Sequence, residues 1–309
     1  MEKVLRTWIL DHMTANSLIS PHQYGFLPHR STTTQLRQAV EQWHDILDEG
    51  GELDVVYFDF AKAFDTVPHK RLLEKLSGYG ISPRIIAWIQ SYLSNRSQRV
   101  KVKGTTSEWH TVTSGIPQGS VLGPINFVLY INDLPASVLF ADDTKLFKRI
   151  TSQLDRLSLP EDIGSMDEWS ETWLIKYQPP KCNTMSINSR GEDRPEASYS
   201  LGNTELNRVT SEKDLGVSID NRLTFDEHIT NVTNKANSIM GVIRRSFSHM
   251  DVPVFRQLFR SLVRPHLEYA QPVWSPYKRG QILQLEQVQR RATRLVPALK
   301  GLSYPDRLR

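Results

Sequence analysis

The spacing of apolar and polar residues along the chain predicts both helices and strands. Residues 33–48 carry apolar side chains such as Leu36 and Trp43 at helical spacing, which indicates a helix with one buried face. Residues 54–60 form a short β-branched and aromatic run, which indicates a buried strand. Similar patterns predict further helices over residues 1–13, 69–76, 83–93, 120–133 and 162–177 and most of 226–309, and strands over 98–103, 109–113, 138–141, 183–190 and 213–219.

The order of these elements predicts the fold class. Helices and strands are mixed up to about residue 222, and the predicted elements beyond it are helical. This order indicates an α+β body joined to an all-helical C-terminal region.

Composition narrows the class of protein. The 309 residues are 39% apolar and 23% charged, which is typical of a globular chain. The sequence contains no run of 18 apolar residues, so no membrane span is predicted. The first residues also lack the apolar block of a signal peptide. Cys182 is the only cysteine, which excludes an internal disulfide and favours a reducing compartment. We therefore expect an intracellular protein, nuclear or cytoplasmic, that is not secreted and does not act in a membrane.

The net charge of +4 is distributed unevenly along the chain. Residues 241–309 contain 13 Lys and Arg but four Asp and Glu, a net charge of +9, whereas residues 1–240 have a net charge of −5. A basic C-terminal region joined to an acidic body favours a polyanionic partner such as nucleic acid. The alternative is a solvated helix face that happens to be rich in arginine.

Carboxylates follow two of the predicted strands. Asp59 ends the run Val-Val-Tyr-Phe-Asp, and the pair Asp142 and Asp143 ends Leu-Phe-Ala-Asp-Asp. If the two strands are neighbours, three carboxylates meet at one edge of the sheet. Such a cluster, with no Cys or His, suits Mg²⁺ or Mn²⁺. The alternative is that the Asp-Asp pair caps a helix or lies in a surface turn.

Several blocks of the chain, in order, resemble the reverse transcriptases of non-long-terminal-repeat (LINE-type, jockey-like) retrotransposons. The blocks are QYGFLPHRSTTTQL at 23–36, DVVYFDFAKAFDTVPHKRLL at 54–73, SGIPQGSVLGPINFVLYINDLP at 114–135, LFADDTKLF at 139–147, WLIKYQPPKC at 173–182, DLGVSID at 214–220 and LVRPHLEYAQPVWSPY at 262–277. The resemblance implies a right-hand polymerase fold. It assigns residues 1–50 to partial fingers, 51–222 to a palm with interleaved fingers elements, and 223–309 to a helical, thumb-like region.

The resemblance also implies roles for individual residues. The implied metal ligands are Asp59, Asp142 and Asp143, which with Lys181 form the catalytic set. The implied nucleotide-binding residues are Phe60, Phe64, Gln118 and Gly119, and the implied primer and template contacts are Arg30, Leu215, Gly216, Arg290, Arg291 and Arg294. The residues alone leave alternatives open: Phe64 as a core ring, Lys181 as a solvated lysine, and the arginines as partners of acidic side chains. Asp65 is interpreted as a helix cap.

Two departures from the family pattern affect the functional prediction. The fingers of the family begin before Met1, and the link between Pro135 and Leu139 has three residues where relatives carry more. We therefore expect a truncated copy. The predicted function is RNA-directed DNA synthesis from deoxynucleoside triphosphates on an RNA template and a DNA primer. The alternative is an inactive remnant that at most binds nucleic acid. A carboxylate-cluster nuclease is disfavoured because it leaves the Pro-Gln-Gly block unexplained.

Overall fold

A computed structural model describes residues 1–135, 137–188, 198–247 and 249–308. The chain folds as two compact units, the first ending at Val209 and the second starting at Thr210. The division into fingers, palm and thumb at residues 50 and 222 stays a prediction. Among the described residues, no helix combines the length and apolar character needed to cross a membrane.

The first unit contains both strands and helices, as predicted. Its strands are β1 Glu52–Phe58, β2 Ser97–Gln98, β3 Lys101–Val102, β4 Thr105–Thr106, β5 His110–Thr111, β6 Val138–Phe140, β7 Asp143–Ile150, β8 Asn183–Asn188, β9 Ser200–Leu201, β10 Thr204–Glu205 and β11 Asn207–Arg208. Its α-helices are α1 Glu2–Ala15, α2 Thr32–Asp48, α3 Ala63–Thr66, α4 His69–Gly78, α5 Pro83–Leu93, α6 Gly123–Tyr130 and α7 Gln153–Trp173.

A five-stranded sheet in the order β11-β8-β1-β7-β6 forms the centre of the first unit. The strand β1 lies in the middle and pairs antiparallel with both β7 and β8. Six of its seven residues are buried, so helices and loops cover both of its faces. The mostly apolar sequence of residues 53–58 suits this position because neither face meets water, and the one carboxylate in it, that of Asp54, accepts a hydrogen bond from Tyr199. The predicted strand over 54–60 is confirmed, although it ends at Phe58.

The helices of the first unit mostly begin where the sequence predicts. Ser31 accepts a hydrogen bond from the backbone of Thr34 and Thr34 returns one, so a capping box starts α2. The prediction for α7 was wrong at both ends, because this helix starts at Gln153 rather than 162 and ends at Trp173. Its start is set by a second capping box between Ser152 and Asp155.

Two other predictions also need correction. The predicted helix over residues 120–133 is confined to α6, since Ser120 and its neighbours form a turn before it. The predicted hairpin of 98–103 and 109–113 consists of two short antiparallel pairs, β2 with β5 and β3 with β4. Its turn falls at Lys103 and Gly104, which both have positive φ.

A buried lysine joins three helices of the first unit. Lys75 of α4 donates hydrogen bonds to the carbonyl of Tyr130 and to the carboxylate of Asp133. Its ammonium also lies 4.7 Å from the ring centre of Trp169 and 3.8 Å from that of Trp173, both in α7. Burial lowers the pKa of Lys75 to about 8, and Asp133 only partly offsets this effect.

The second unit is mainly helical, as predicted from residue 226 onward. It begins with a hairpin of β12 Ser211–Asp214 and β13 Val217–Asp220. Its α-helices are α8 Asp226–Ser246, α9 Val252–Leu258, α10 Arg264–Glu268, α11 Gln271–Trp274, α12 Arg279–Thr293 and α13 Tyr304–Arg307. A π-helical turn at Phe259–Val263 links α9 to α10.

In the first unit, the predicted strand over 183–190 is observed as β8, and residues 189 and 190 lie outside the described part.

Candidate active site

Two neighbouring strands bring two of the predicted carboxylates to one end of the sheet. Phe58 of β1 lies opposite Thr144 of β7, and Asp59 is the next residue after β1. The turn between β6 and β7 consists of Ala141 and Asp142. The strand that follows Asp142, β7, is the neighbour of β1, whereas β6, which the sequence predicted to lead into the aspartate pair, lies on the other side of β7.

The carboxylates of Asp59 and Asp142 influence each other electrostatically. Burial raises the pKa of Asp142 above its ordinary value, and the negative charge of Asp59 raises it further. A hydrogen bond from the backbone of Asp142 to its own carboxylate offsets part of this rise. The carboxylates of Asp59 and Asp142 therefore repel each other, and a nearby cation would reduce this repulsion.

Lys181 supplies one such cation. Its ammonium nitrogen lies 3.2 Å from Oδ2 of Asp59, which places the pair within ion-pair distance. That oxygen is buried and accepts no hydrogen bond from any described residue. Because 62% of the Lys181 side chain is exposed, water screens the pair and Lys181 can move away from Asp59.

The donor set fits a hard divalent cation. Carboxylate oxygens are the protein ligands that Mg²⁺ prefers, and one or two suffice when substrate phosphates complete the shell. The buried Oδ2 of Asp59 accepts no hydrogen bond from the described residues, and it could bind a cation if the ammonium of Lys181 moved away. Within the described residues, no group of three or more His, Cys, Asp or Glu side chains is arranged to hold a metal ion. Two carboxylates fit a divalent cation when oxygen atoms from outside the protein, such as substrate phosphates, complete its ligand shell.

Asp143 differs from its neighbour. It is the first residue of β7, pairs with Phe140 of β6 and is exposed. Asp142 by contrast lies in the preceding turn and is half-buried, so the two neighbouring carboxylates have different surroundings. Its assignment as a metal ligand stays a prediction.

Sequence reasoning missed the contacts that fix the backbone around Asp59. The thiol of Cys182 accepts a hydrogen bond from the amide of Asp59 at 3.4 Å, and the amide of Gln178 donates to the Asp59 carbonyl at 2.7 Å. Burial raises the pKa of Cys182 to about 11, so the thiol stays neutral. These contacts join residues more than a hundred positions apart, and no local pattern signals them.

Two phenylalanines near Asp59 pack in different ways. Phe60 is buried and stacks on Tyr177, with 4.6 Å between the ring centres. Phe64 is half-buried and stacks on Phe127 at 4.3 Å. The core interpretation of Phe64 is therefore correct for one face of its ring, and part of the side chain is exposed.

The Pro-Gln-Gly turn is tied to the segment that follows Asp59. Gln118 is exposed, and its side-chain amide donates to the carboxylate of Asp65 at 3.0 Å. The interpretation of Asp65 as a helix cap was wrong, because Lys62 occupies the N-cap position of α3. Gly119 has a φ of +79° with open space beside its Cα, so a ligand can approach its backbone closely.

Arg30 is engaged within the first unit. Its guanidinium donates hydrogen bonds to the carbonyls of Pro21 and Gln23 and lies 4.9 Å from the ring centre of Tyr24. These contacts stabilise the loop between α1 and α2. Part of the hydrogen-bonding capacity of the guanidinium, which the resemblance assigns to the template, is therefore used inside the first unit.

The remaining predicted contacts lie in the second unit, where two of them form a tight turn. Leu215 and Gly216 join β12 to β13, and both have positive φ. The hydroxyl of Tyr269 donates to the Leu215 carbonyl at 2.8 Å, and its ring packs against Gly216. The single strand predicted over 213–219 was therefore wrong, because the turn at Leu215 and Gly216 divides it into the two strands of a hairpin.

The three arginines near α12 are exposed. Arg290 and Arg291 lie in its last turn and Arg294 is its C-cap, while Val288 and Ala292 of the same helix are buried. The exposed arginines and the buried apolar residues thus lie on different faces of α12. Arg290 lies 4.7 Å from the ring centre of Tyr304. Four further arginines, Arg256, Arg260, Arg264 and Arg307, line a cavity of about 880 Å³ in this unit.

Comparisons with known proteins agree with the blocks found in the sequence. The family model described as reverse transcriptase (RNA-dependent DNA polymerase) matches residues 1–226. This match covers more than half of the chain.

Two fruit-fly proteins are among the relatives. The probable RNA-directed DNA polymerase from transposon X-element of Drosophila melanogaster is 26% identical over 309 residues, covering 96% of this chain and 34% of the relative. The RNA-directed DNA polymerase from mobile element jockey of the same species is 28% identical over 246 residues, covering 75% of this chain and 26% of the relative. The chain thus spans at most about a third of the length of these relatives.

A solved structure supports the fold. Apo telomerase from Candida tropicalis superposes with a TM-score of 0.53 and 13% sequence identity, covering 97% of this chain and 51% of that one. At this identity the likeness concerns the fold alone. The right-hand polymerase fold expected from the sequence is confirmed.

Proposed function

Because the chain belongs to the reverse transcriptase family, we propose that it catalyses RNA-directed DNA synthesis. In this reaction the 3′-oxygen of a DNA primer forms a bond to the α-phosphorus of a deoxynucleoside triphosphate. The bond to pyrophosphate breaks, and the 3′-hydroxyl loses its proton. The observation that carries the proposal is the adjacent placement of Asp59 and Asp142 at one end of the central sheet.

The two carboxylates are proposed to hold the divalent cation on which the family depends. We assign Mg²⁺, with Mn²⁺ as a substitute, because oxygen ligands suit both ions. When bound, such ions neutralise phosphate charge and favour ionisation of the attacking hydroxyl. The chain's own contribution is a pair of carboxylates that repel each other and are therefore stabilised by a cation.

Lys181 is proposed to act on the leaving group. In the structure it pairs with Asp59, and its exposure allows it to exchange this partner for a phosphate. A positive charge beside the departing pyrophosphate stabilises the negative charge that develops there. The ammonium can also donate a proton to that oxygen.

The nucleotide is proposed to lie beside the segment that follows β1. Phe60 offers its backbone to the triphosphate, and Phe64 contacts the sugar. Gln118 and Gly119 face the base and template, since the glycine leaves room for close approach. The hydrogen bond from Gln118 to Asp65 joins the two segments that would carry these residues.

The second unit is proposed to bind the primer and template. Leu215 and Gly216 supply the hairpin for the primer end, and Arg290, Arg291 and Arg294 supply guanidinium groups for phosphates. Arg30 is proposed to contact the template with the donors that its loop leaves unused. The proposed partners are an RNA template, a DNA primer and deoxynucleotides, and the proposed location is intracellular.

The direct test is primer extension by the purified full chain. A labelled DNA primer annealed to RNA is incubated with four deoxynucleotides and either Mg²⁺ or Mn²⁺. Extension to the end of the template is expected with either ion and not after chelation. Failure of the folded protein to add even one nucleotide with both ions would instead favour an inactive, nucleic-acid-binding remnant.

A further inference from the structure

The turn that carries Asp142 has an unusual backbone conformation. Ala141 adopts a φ of +54°, in the left-handed region that L-residues other than Asn, Asp and Gly seldom occupy. Ala141 is also buried, with 3% of its surface exposed. Such a conformation persists only when neighbouring groups hold it in place.

The segment around Gln23 supplies these neighbouring groups. The amide of Tyr24 donates to the carbonyl of Leu139 at 2.8 Å, and the amide of Leu139 donates to the carbonyl of His22 at 2.9 Å. Residues 22–24 thus run beside β6 as an additional short strand, with Gln23 paired in parallel to Leu139. The loop between α1 and α2 is therefore fastened to the strand that leads into the turn.

The side chain of Gln23 reaches the turn itself. None of its surface is exposed, and its Oε1 accepts hydrogen bonds from the amide of Gly25 at 2.7 Å and from the amide of Ala141 at 3.0 Å. One side-chain oxygen thereby ties the loop to the residue immediately before Asp142. The Nε2 of Gln23 has no hydrogen-bond partner among the described residues, so the amide group is oriented by its oxygen alone.

Gly25 makes this close approach possible. A Cβ at this position would overlap the backbone nitrogen of Ala141 and crowd its Cα, so any larger residue would push the turn away from the loop. Gly25 and the buried side-chain amide of Gln23 thus both pack against the backbone N–H of Ala141, the residue before Asp142.

We propose that Gln23 is a positioning residue for Asp142. Its Oε1 holds the Ala141 N–H, fixes the left-handed turn and thereby sets the direction in which the Asp142 carboxylate points. The consequence for metal binding and nucleotide transfer rests on the proposed function. The hydrogen bond itself does not, so the two can be tested separately.

The test compares two buried glutamines. Gln23→Met removes the oxygen acceptor while keeping a side chain of similar length. Gln35→Met is the matched control, because Gln35 of α2 is 1% exposed and its Oε1 accepts no hydrogen bond from the described residues. Site-resolved hydrogen exchange of the Ala141 amide is measured on the metal-free full chain, with circular dichroism reporting the fold.

The amide of Ala141 is expected to exchange roughly tenfold faster in Gln23→Met than in the parent, which corresponds to the loss of about one net hydrogen bond. Gln35→Met should leave this rate unchanged. Equal exchange in Gln23→Met and the parent would overturn the proposal. A similar acceleration in both variants would also overturn it, because general loosening of the core would then explain the effect.

A second variant covers the case in which Gln23→Met fails to fold. Gln23→Glu retains an oxygen acceptor at the same position, so protection of the Ala141 amide should stay near that of the parent. A folded Gln23→Glu protein that has lost this protection would show that an acceptor at residue 23 does not hold the turn.

Binding of Mn²⁺, followed by electron paramagnetic resonance, tests the consequence for Asp142. Gln23→Met should bind the ion several-fold more weakly than the parent, and Gln35→Met should match the parent. Faster exchange with unchanged Mn²⁺ affinity would remove the positioning role. If the parent binds no Mn²⁺, the proposed metal site fails, whereas the exchange experiment still decides whether Gln23 holds the turn.

Discussion

Phe64 packs against the core of the first unit and is also proposed to contact the nucleotide. One face stacks on Phe127, and Phe26 contacts it edge-on with 6.4 Å between ring centres. These contacts hold the ring at a fixed position five residues after Asp59. We propose that a ring held in this way excludes a 2′-hydroxyl by steric overlap.

Replacement of Phe64 tests this role. Phe64→Val should allow incorporation of ribonucleotides while retaining incorporation of deoxynucleotides, because a shorter side chain leaves room for the 2′-hydroxyl. Single-nucleotide incorporation with each sugar gives the ratio of kcat/KM. Phe127→Leu is the control, since it removes the same stacked pair from the other side. Equal relaxation of sugar selection in both variants would assign the effect to loosened packing.

The role of a single residue could be predicted where a sequence motif contains it. It could not be predicted where the role depends on a contact outside the motif. Asp59 and Asp142 lie at the same end of the sheet because β1 pairs with β7, whereas the apolar run before Asp142 predicted β6, which β7 separates from β1. The partners of Asp65 and Arg30 were not foretold. These hydrogen bonds form because turns of the folded chain bring the partners close together, and no local sequence pattern indicates this.

At the scale of elements, α8 contains a buried titratable group. His228 is 3% exposed, its Nδ1 accepts a hydrogen bond from the amide of Ser218 at 3.2 Å, and its ring packs edge-on against Trp274. Burial lowers the pKa of His228 to about 4, and the charge of Glu227 offsets little of this shift. The folded state therefore contains the neutral imidazole.

This burial predicts a pH dependence of stability. Between about pH 6.5 and 4 the unfolded chain binds a proton at His228 that the folded chain does not. The free energy of unfolding should therefore fall as pH falls through this window, by up to about 3 kcal/mol from this group. His228→Asn, which keeps an acceptor near the Nδ1 position and does not titrate, should reduce the fall.

Urea denaturation of the full chain at pH 7 and pH 4.5 measures the effect. His266→Asn is the control, because His266 belongs to the same unit and is exposed. A fall of the same size in the parent and in His228→Asn would show that other groups cause the acid sensitivity.

Elements were predicted well where periodicity and end signals agree. The helix α2 has both an apolar stripe and a capping residue, and its predicted start lies within one residue of the observed one. The helix α7 contains Pro160, and its first turns show a weak apolar pattern, so its N-terminal part was missed. The short strands β2 to β5 are exposed, and the alternation that marks a half-buried strand is absent there.

For the whole molecule, the charge asymmetry coincides with the second unit. Residues 241–309 have a net charge of +9, and the arginines near α12 are exposed. Guanidinium groups pair with phosphates, and each neutralised phosphate releases counterions. Binding to nucleic acid should therefore weaken steeply with salt.

Replacement of Arg290, Arg291 and Arg294 by Gln should reduce this salt dependence. If each contacts one phosphate, the log–log slope for duplex DNA should shrink by up to about 2.7 units. Binding of a template–primer duplex across a salt series measures the slope. A control variant removes the same charge from the first unit at Lys3, Lys70 and Arg84, which are exposed. Equal slopes for the parent and the arginine variant would leave the basic region without a phosphate-binding role.

The family could be predicted because the chain contains the blocks of the family in their expected order. The strands and the helical C-terminal region could be predicted from the spacing of apolar residues. The boundary between the units was not, because it falls inside a mixed stretch without a change in composition. The short link from Pro135 to Leu139 includes Ala136, which lies outside the described residues. The described strand β6 nevertheless pairs with β7 over three residues.

The most direct test of the central claim is the single-turnover rate of RNA-templated primer extension by Asp59→Asn. If Asp59 and Asp142 share a catalytic cation, this variant should be slower by about a thousandfold or more, since metal coordination contributes several kcal/mol to the barrier. Asp142→Asn should behave alike, and the exposed Asp45→Asn should keep the parent rate. Extension by folded Asp59→Asn at the rate of the parent would contradict the assignment of the active site.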